Sequence, residues 1–231
     1  MSDNIRENLL KVYERIHRAE QEAGVSQGTV KLVGVTKNRQ LEEIEAVIRA
    51  GLEDIGENRL QDAKSKLPSL CLPVTKHFIG HLQRNKVNDV LTMFDLIHSV
   101  DREKLVRAID ERAGRQGEVA RVLMQVNTSF EESKFGVDPE RAEELLEVIA
   151  QSKNIELLGL MTIGPLTADT RAVAESFRLL RGLFEKFSSL QTGNCRMEII
   201  SMGMSSDFEI AIAEGANMVR VGTAIFGPRK Y

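Results

Sequence analysis

Tryptophan is missing from the 231 residues, cysteine occurs only twice, and neither sign of charge dominates. Cys71 and Cys195 lie far apart, form no Cys-x-x-Cys pair and have no paired histidine spacing nearby, so neither a disulfide framework nor a zinc site is written here. They read as two reduced thiols. With 31 Lys and Arg against 34 Asp and Glu, the formal net charge is −3, which lacks the broad positive field that binds nucleic acid or anionic membrane. No apolar run reaches the ~18 residues of a membrane span. Met1-Ser2-Asp3-Asn4 opens a charged helix, not the basic segment and apolar core of a signal peptide, so the expected compartment is the cytoplasm.

Familiar ligand motifs are missing too. No Gly-x-Gly-x-x-Gly occurs. Residues 51–56 have phosphate-loop spacing, but Glu57-Asn58 follows where Lys-[Ser/Thr] is needed. No carboxylates pair at metal-ligand spacing, and the short Arg229-Lys230 tail gives nucleic-acid binding no support. What remains is an ordinary globular composition, 42% hydrophobic and 28% charged, long enough for one large domain or two small ones.

The first segment predicts an amphipathic helix: Ile5, Leu9, Val12, Ile16 and Ala19 recur at helical spacing, Ser2 or Asp3 can cap it, and Gly24 can end it. Apolar runs then recur at 31–36, 53–56, 77–80, 96–100, 119–126, 156–162, 197–200 and 218–221. Between them lie helical patterns, clearest in Val173, Phe177, Leu180, Phe184 and Phe187, and in Ala142, Leu145, Leu146 and Ile149 behind the start signal Asp138-Pro139. Several runs are apolar on both faces, as in parallel strands covered by helices. Eight strands alternating with helices, with no linker, predict one closed (β/α)₈ TIM barrel spanning residues 1–231, preceded by a helix. A doubly wound open sheet is the competing architecture. In either, chemistry sits at the C-terminal strand ends.

Lys37 follows the first strand directly, at the barrel rim. A surface charge is one reading. A partly desolvated amine, its pKa lowered and able to attack an aldehyde, is the other. After the seventh strand, Ser206 with Glu209 fits a capping box, which leaves Ser205 and backbone N–H groups as an anion site. After the eighth, Gly222 permits close backbone approach and the Thr223 hydroxyl can donate. These paired loops are where barrels commonly hold phosphate, although tight turns use the same small residues. Arg220 shares a strand face with Met218, opposite Val219 and Val221, and a guanidinium buried there unpaired would cost several kcal/mol. Its acceptor is either a structural carboxylate or a ligand. An aldehyde-reactive lysine, a phosphate cup and an arginine between them suit pyridoxal phosphate. An arginine, with a pKa above ~12, supplies no proton readily to the pyridine nitrogen, which favours holding the cofactor or mild proton transfer over transamination.

Three stretches carry a family resemblance: Gly34-Val35-Thr36-Lys37, His77-Phe78-Ile79-Gly80-His81-Leu82-Gln83-Arg84-Asn85-Lys86, and Ser201-Met202-Gly203-Met204-Ser205-Ser206-Asp207 with Val219-Arg220-Val221-Gly222-Thr223-Ala224-Ile225-Phe226-Gly227. Gly56-Glu57-Asn58 also fits. The chain resembles, along its whole length, the pyridoxal phosphate homeostasis proteins and the barrel domain of alanine racemases. Lys76 departs from the aromatic that relatives often place before the histidine.

The resemblance implies that Lys37 forms an aldimine with pyridoxal phosphate, that Arg220 faces the pyridine nitrogen, and that Ser205, Gly222 and Thr223 contact the phosphate. Asn58 and His81 would line the mouth, unless Asn58 caps a helix and His81 is a solvated helix-start residue. Lys134, in Ser133-Lys134-Phe135-Gly136, lies on a stretch like a racemase loop near the substrate carboxylate; a mobile surface lysine is the alternative. The function so implied is a cofactor holder in pyridoxal phosphate homeostasis, monomeric, without robust catalysis, passing cofactor transiently to apo-enzymes. An amino-acid racemase is the alternative. Racemisation requires a base on each face of the cofactor, and the resembling racemases draw the second from a further domain not present in these 231 residues. A Schiff-base aldolase is the third reading, though its lysine belongs on a later strand. The lack of tryptophan leaves a cofactor chromophore free of indole emission.

Overall fold

In the computed structural model, which describes residues 2–131, 133–190 and 193–228, eight parallel strands close into a barrel in sequence order. They are β1 (Lys31–Val35), β2 (Asp54–Glu57), β3 (Thr75–Phe78), β4 (Leu96–Val100), β5 (Ala120–Gln125), β6 (Ile155–Met161), β7 (Cys195–Ser201) and β8 (Met218–Val221). The helices are α1 (Ser2–Glu22), α2 (Leu41–Arg49), α3 (Leu60–Lys66), α4 (Val87–Met93), α5 (Glu103–Gln116), α6 (Ala142–Ala150), α7 (Thr170–Ser188), α8 (Phe208–Ala213) and α9 (Thr223–Phe226). Pairing of β1 with β8, Val33 beside Arg220, closes the ring and rules out the open sheet.

The expected helical faces are the buried ones. Ile5, Leu9, Val12, Ile16 and Ala19 are all buried, and α1 packs across α2, α8 and α9 over the β8–β1 seam. Gly24, at φ +70°, takes the left-handed turn that ends the chain's helical course. The side chains of Ser2 and Asp3, offered as caps, fall outside what is described, as do Arg229 and Lys230. Asp169 caps α7 by accepting from the Arg171 and Ala172 N–H groups. Asp138 accepts from Glu140 N and starts a single 3₁₀ turn that leads into α6.

Strand ends differ where polar residues lie at the edges of the apolar runs. β3 begins at Thr75 and ends at Phe78, because Thr75-Lys76 extend the ladder beneath Asp95 while Gly80 turns against the Asn58 backbone. β7 begins at Cys195, its first residues alternating between half-covered and exposed, a pattern that an apolar run does not reveal. Val119 lies outside β5 and is 59% exposed. Neither cysteine is in a disulfide, and Cys71 lies on the surface.

Inward-pointing Val33, Leu96, Leu123, Met161 and Met218 form an apolar plug inside the barrel, separate from the larger core between strands and helices. Val219 and Val221 join that outer core, so β8 alternates as its sequence predicts and aims Arg220 inward. Gly159 allows β6 to meet β7. At φ +146°, an added Cβ there would lie 1.9 Å from the Ile199 carbonyl oxygen. Gly159→Ala is expected to lower unfolding stability by about 2 kcal/mol or more, read from denaturant midpoints; an unchanged midpoint contradicts this reading of the β6–β7 contact.

Candidate functional site

Interior parity along β1 runs Val33, Val35, Lys37, which brings the half-buried Lys37 to the C-terminal mouth. Its two neighbours are held from the other side of the strand. Thr36 Oγ1 donates to Glu57 Oε1 (2.6 Å), and the Asn38 N–H donates to Asp62 Oδ2 (2.9 Å). Buried Lys66 ties these together, donating to the Thr36 carbonyl (3.0 Å), Glu57 Oε1 (2.7 Å) and Asp62 Oδ2 (3.0 Å). Burial pushes the Glu57 carboxyl up, with the Lys66 charge opposing it. At Asp62 the burial penalty is outweighed by the Asn38 N–H and by Lys66, which together hold its carboxyl below the usual range. The lysine is therefore carried on a segment whose backbone is pinned on both sides.

Arg220 is 4% exposed, and its acceptors are neutral. Nη1 donates to Ser201 Oγ (2.6 Å) and Nη2 to the Thr162 carbonyl (2.7 Å). Among the described residues, no carboxylate pairs with it directly. Burial lowers its pKa to about 10, with Asp207 opposing, below the value above ~12 expected for an arginine but far enough above neutrality to keep it a cation and a donor.

The loops after β7 and β8 meet at one oxygen. The N–H groups of Gly222 and Ala224 both donate to Ser205 Oγ, at 3.2 and 3.4 Å. Gly222 lets β8 and β1 come close there: an added Cβ would sit 3.3 Å from the Val35 Cβ, tighter than ordinary contact. The exposed Thr223 hydroxyl stands at the start of α9 beside them. The Ser206–Glu209 capping box does not form. α8 starts at Phe208, after Asp207, whose Oδ1 accepts from Met204 N (2.5 Å) and so fixes the β7–α8 turn. Burial raises the Asp207 carboxyl, opposed by that N–H and by Arg220.

On the rim, the half-buried Asn58 caps nothing: the position before α3 is Arg59, and the Asn58 carboxamide makes no hydrogen bond among the described residues. Its backbone touches Gly80, where an added Cβ would fall 1.9 Å from the Asn58 carbonyl oxygen. The His81 ring is not a solvated helix start. It stacks on Phe135 with centroids 3.7 Å apart, and Nδ1 lies 3.8 Å from Asp101 Oδ2. Burial lowers its pKa, with Asp101 opposing. Lys134 donates to Glu131 Oε1 and to the Gly164 carbonyl, both at 2.7 Å.

The sequence thus brings Lys37, Asn58, Ser205, Arg220, Gly222 and Thr223 to one end of the barrel. The supports it did not indicate are Glu57, Lys66 and Asp62 behind Lys37, and Ser201 with His98 behind Arg220. His98 is fully buried on β4, with Nδ1 3.2 Å from Ser201 Oγ. The Lys66–Asp62 spacing of four reads as a surface ion pair, and the two histidines of the barrel interior sit in runs that read as core. Among the described residues, no three His, Cys, Asp or Glu groups cluster to hold a metal ion, and no helix is long and apolar enough to cross a membrane.

Residues 2–230 match the model of the alanine racemase N-terminal domain family. A pyridoxal phosphate homeostasis protein of Aquifex aeolicus is 42% identical over 229 residues, covering 99% of this chain and 100% of its own. The chain belongs to the pyridoxal phosphate homeostasis protein family. A solved family structure, PipY of Synechococcus elongatus with PLP bound, superposes with a TM-score of 0.84 at 32% identity, covering 96% of this chain and all of that one. An alanine racemase of Clostridium difficile, 17% identical with a TM-score of 0.77, shares the barrel fold over 57% of its length.

Burial drives the His98 pKa well below its ordinary value of 6.5, with His77 and Arg220 reinforcing the shift. Below that pH the unfolded chain takes up a proton that the folded ring refuses, so stability falls as pH falls. Across roughly one unit below pH 6.5, wild type is expected to lose up to about 1.4 kcal/mol more than His98→Asn, measured by urea melts. Equal slopes in the two proteins contradict a neutral buried His98.

Proposed function

We propose that this chain binds pyridoxal phosphate at the C-terminal mouth of the barrel and takes part in its homeostasis as a holder, not a catalyst. The observation that carries the reading is the convergence of the Gly222 and Ala224 N–H groups on one oxygen, at the end of a barrel that also presents Lys37 and a buried arginine. Two N–H donors aimed at one point suit a phosphate oxygen. Pyridoxal phosphate brings an aldehyde that condenses reversibly with an amine. Lys37 is the amine that takes it. Ser205, Gly222 and Thr223 hold the phosphate, Asn58 contributes its uncommitted carboxamide at the rim, and Arg220 offers an N–H to the ring nitrogen. The solved relative PipY carries PLP, and the Aquifex aeolicus relative is named for the homeostasis of this cofactor.

Two features favour holding over racemisation. Arg220 remains a donor near neutral pH, which would leave the ring nitrogen of a bound cofactor unprotonated and the ring a weak electron sink. A racemase also requires a second base facing Lys37. His81, the titratable ring at the β3 end, is instead stacked on Phe135 and turned toward Asp101. We read the protein as one domain, monomeric and cytoplasmic, that yields cofactor to apo-enzymes in transient encounters and binds neither nucleic acid nor membrane.

The test loads the purified protein with pyridoxal phosphate, mixes it with an apo-enzyme that needs this cofactor, and assays amino-acid racemisation in parallel. The expected outcome is activation of the acceptor enzyme without racemisation by the donor, and loss of the bound chromophore in Lys37→Ala. Sustained racemisation at saturating amino acid sinks the holder reading in favour of the racemase.

A further inference from the structure

Arg220 stands at one end of a chain of buried polar groups that crosses the barrel. Its Nη1 donates to Ser201 Oγ (2.6 Å), Ser201 Oγ meets His98 Nδ1 (3.2 Å), His98 Nε2 meets His77 Nδ1 (2.8 Å), and His77 Nε2 meets Asp54 Oδ1 (2.9 Å). Every member is nine-tenths buried or more. The chain runs from Asp54, the first residue of β2, to Ser201, the last of β7, so it joins the N-terminal part of the barrel to the site at the mouth.

The protons in this chain have one arrangement that satisfies every donor. A guanidinium only donates, so Ser201 Oγ accepts from Arg220, and the serine O–H is left to find an acceptor. His98 Nδ1 is the other atom within reach, which makes that nitrogen bare and places the His98 proton on Nε2. Nε2–H then donates to His77 Nδ1, which is bare in turn, and the His77 proton on Nε2 donates to the Asp54 carboxylate. A carboxylate only accepts, so the far end demands the same direction as the near one. The opposite arrangement, with His98 protonated on Nδ1, gives Ser201 two donors and leaves its O–H, in a fully buried residue, without an acceptor. Burial also disfavours an imidazolium at His98.

We propose that Ser201, His98, His77 and Asp54 form a single oriented hydrogen-bond chain whose role is to position Arg220, holding its guanidinium in one orientation at the mouth for a neutral ring-nitrogen acceptor. The last clause rests on the function proposed above; the chain itself does not. These four are positioning residues, acting through Arg220. A guanidinium could not relay a proton along such a path, so the chain is a brace and not a wire. Two acceptors, Ser201 Oγ and the Thr162 carbonyl, fix the plane of the guanidinium between β6 and β7.

The direct test is ¹⁵N NMR of the histidine-labelled, cofactor-free protein near neutral pH. Only His17, His77, His81 and His98 contribute, and His77→Gln and His98→Asn assign the two interior rings. Both are expected as neutral rings protonated on Nε2. A proton on His98 Nδ1, or a His77 imidazolium, overturns the chain. The link to the site is read from loaded protein: Ser201→Ala is expected to shift the absorption maximum of bound pyridoxal phosphate and to raise its dissociation constant about three- to tenfold, with Ser201→Thr restoring both. An Ala variant with lowered thermal stability but unchanged spectrum and affinity reduces Ser201 to packing and overturns the positioning role. If wild type binds no pyridoxal phosphate, the function proposed above fails, while the ring tautomers still decide the chain.

Discussion

A guanidinium inside a barrel is the constraint on which the rest of this structure turns. Arg220 lies on a four-residue strand whose neighbours Val219 and Val221 pack outward under the helices, so alternation leaves it no direction but inward. Removing such a cation from water is costly unless acceptors surround it. The barrel meets that requirement with neutral groups, a serine hydroxyl and a carbonyl, while the Asp207 charge only moderates the effect of burial. A carboxylate in direct contact would occupy the fork. Neutral acceptors leave the charge of the guanidinium without a directly bonded counter-ion, which suits the ligand-facing role proposed for it.

The same economy governs Lys37. The ion cluster of Glu57, Lys66 and Asp62 lies behind the strand, between β2 and α3, and touches the flanking residues Thr36 and Asn38. The cluster thereby pins the backbone on both sides of Lys37. Both basic residues of the proposed site are thus supported from the side away from the mouth, at the ends of strands of a closed sheet, which gives the positional rigidity that a site needs more than local strength. The mouth itself is built from smaller parts: two N–H groups, a hydroxyl and a glycine that lets β8 approach Val35.

The fold was legible because its signals were local. Residues five through nineteen repeat at helical spacing, the apolar strand runs alternate with helical patterns, and β8 shows its alternation within four residues. Lys37, Arg220 and the small residues after β7 and β8 were visible because each sits at the end of such a run. The supports were not. Lys66 reaches Glu57 across nine residues and a change of element, and its four-residue spacing from Asp62 imitates a solvated pair. His77 and His98 lie twenty-one positions apart, and only the pairing of β3 with β4 brings their nitrogens to 2.8 Å. Ser206 looked like a cap because the motif fits, but the helix begins one residue later and Asp207 takes the turn. Side chains that act through one another across the barrel leave no periodic trace in the chain.

The central claim is that one lysine among those near the mouth is the reactive amine, selected by position. Borohydride reduction of the protein loaded with pyridoxal phosphate, followed by proteolysis and mass spectrometry, tests it directly. The account predicts one pyridoxyl group per chain, on the peptide carrying Lys37. A label found mainly on Lys134 or Lys66, or spread over surface lysines, would contradict it.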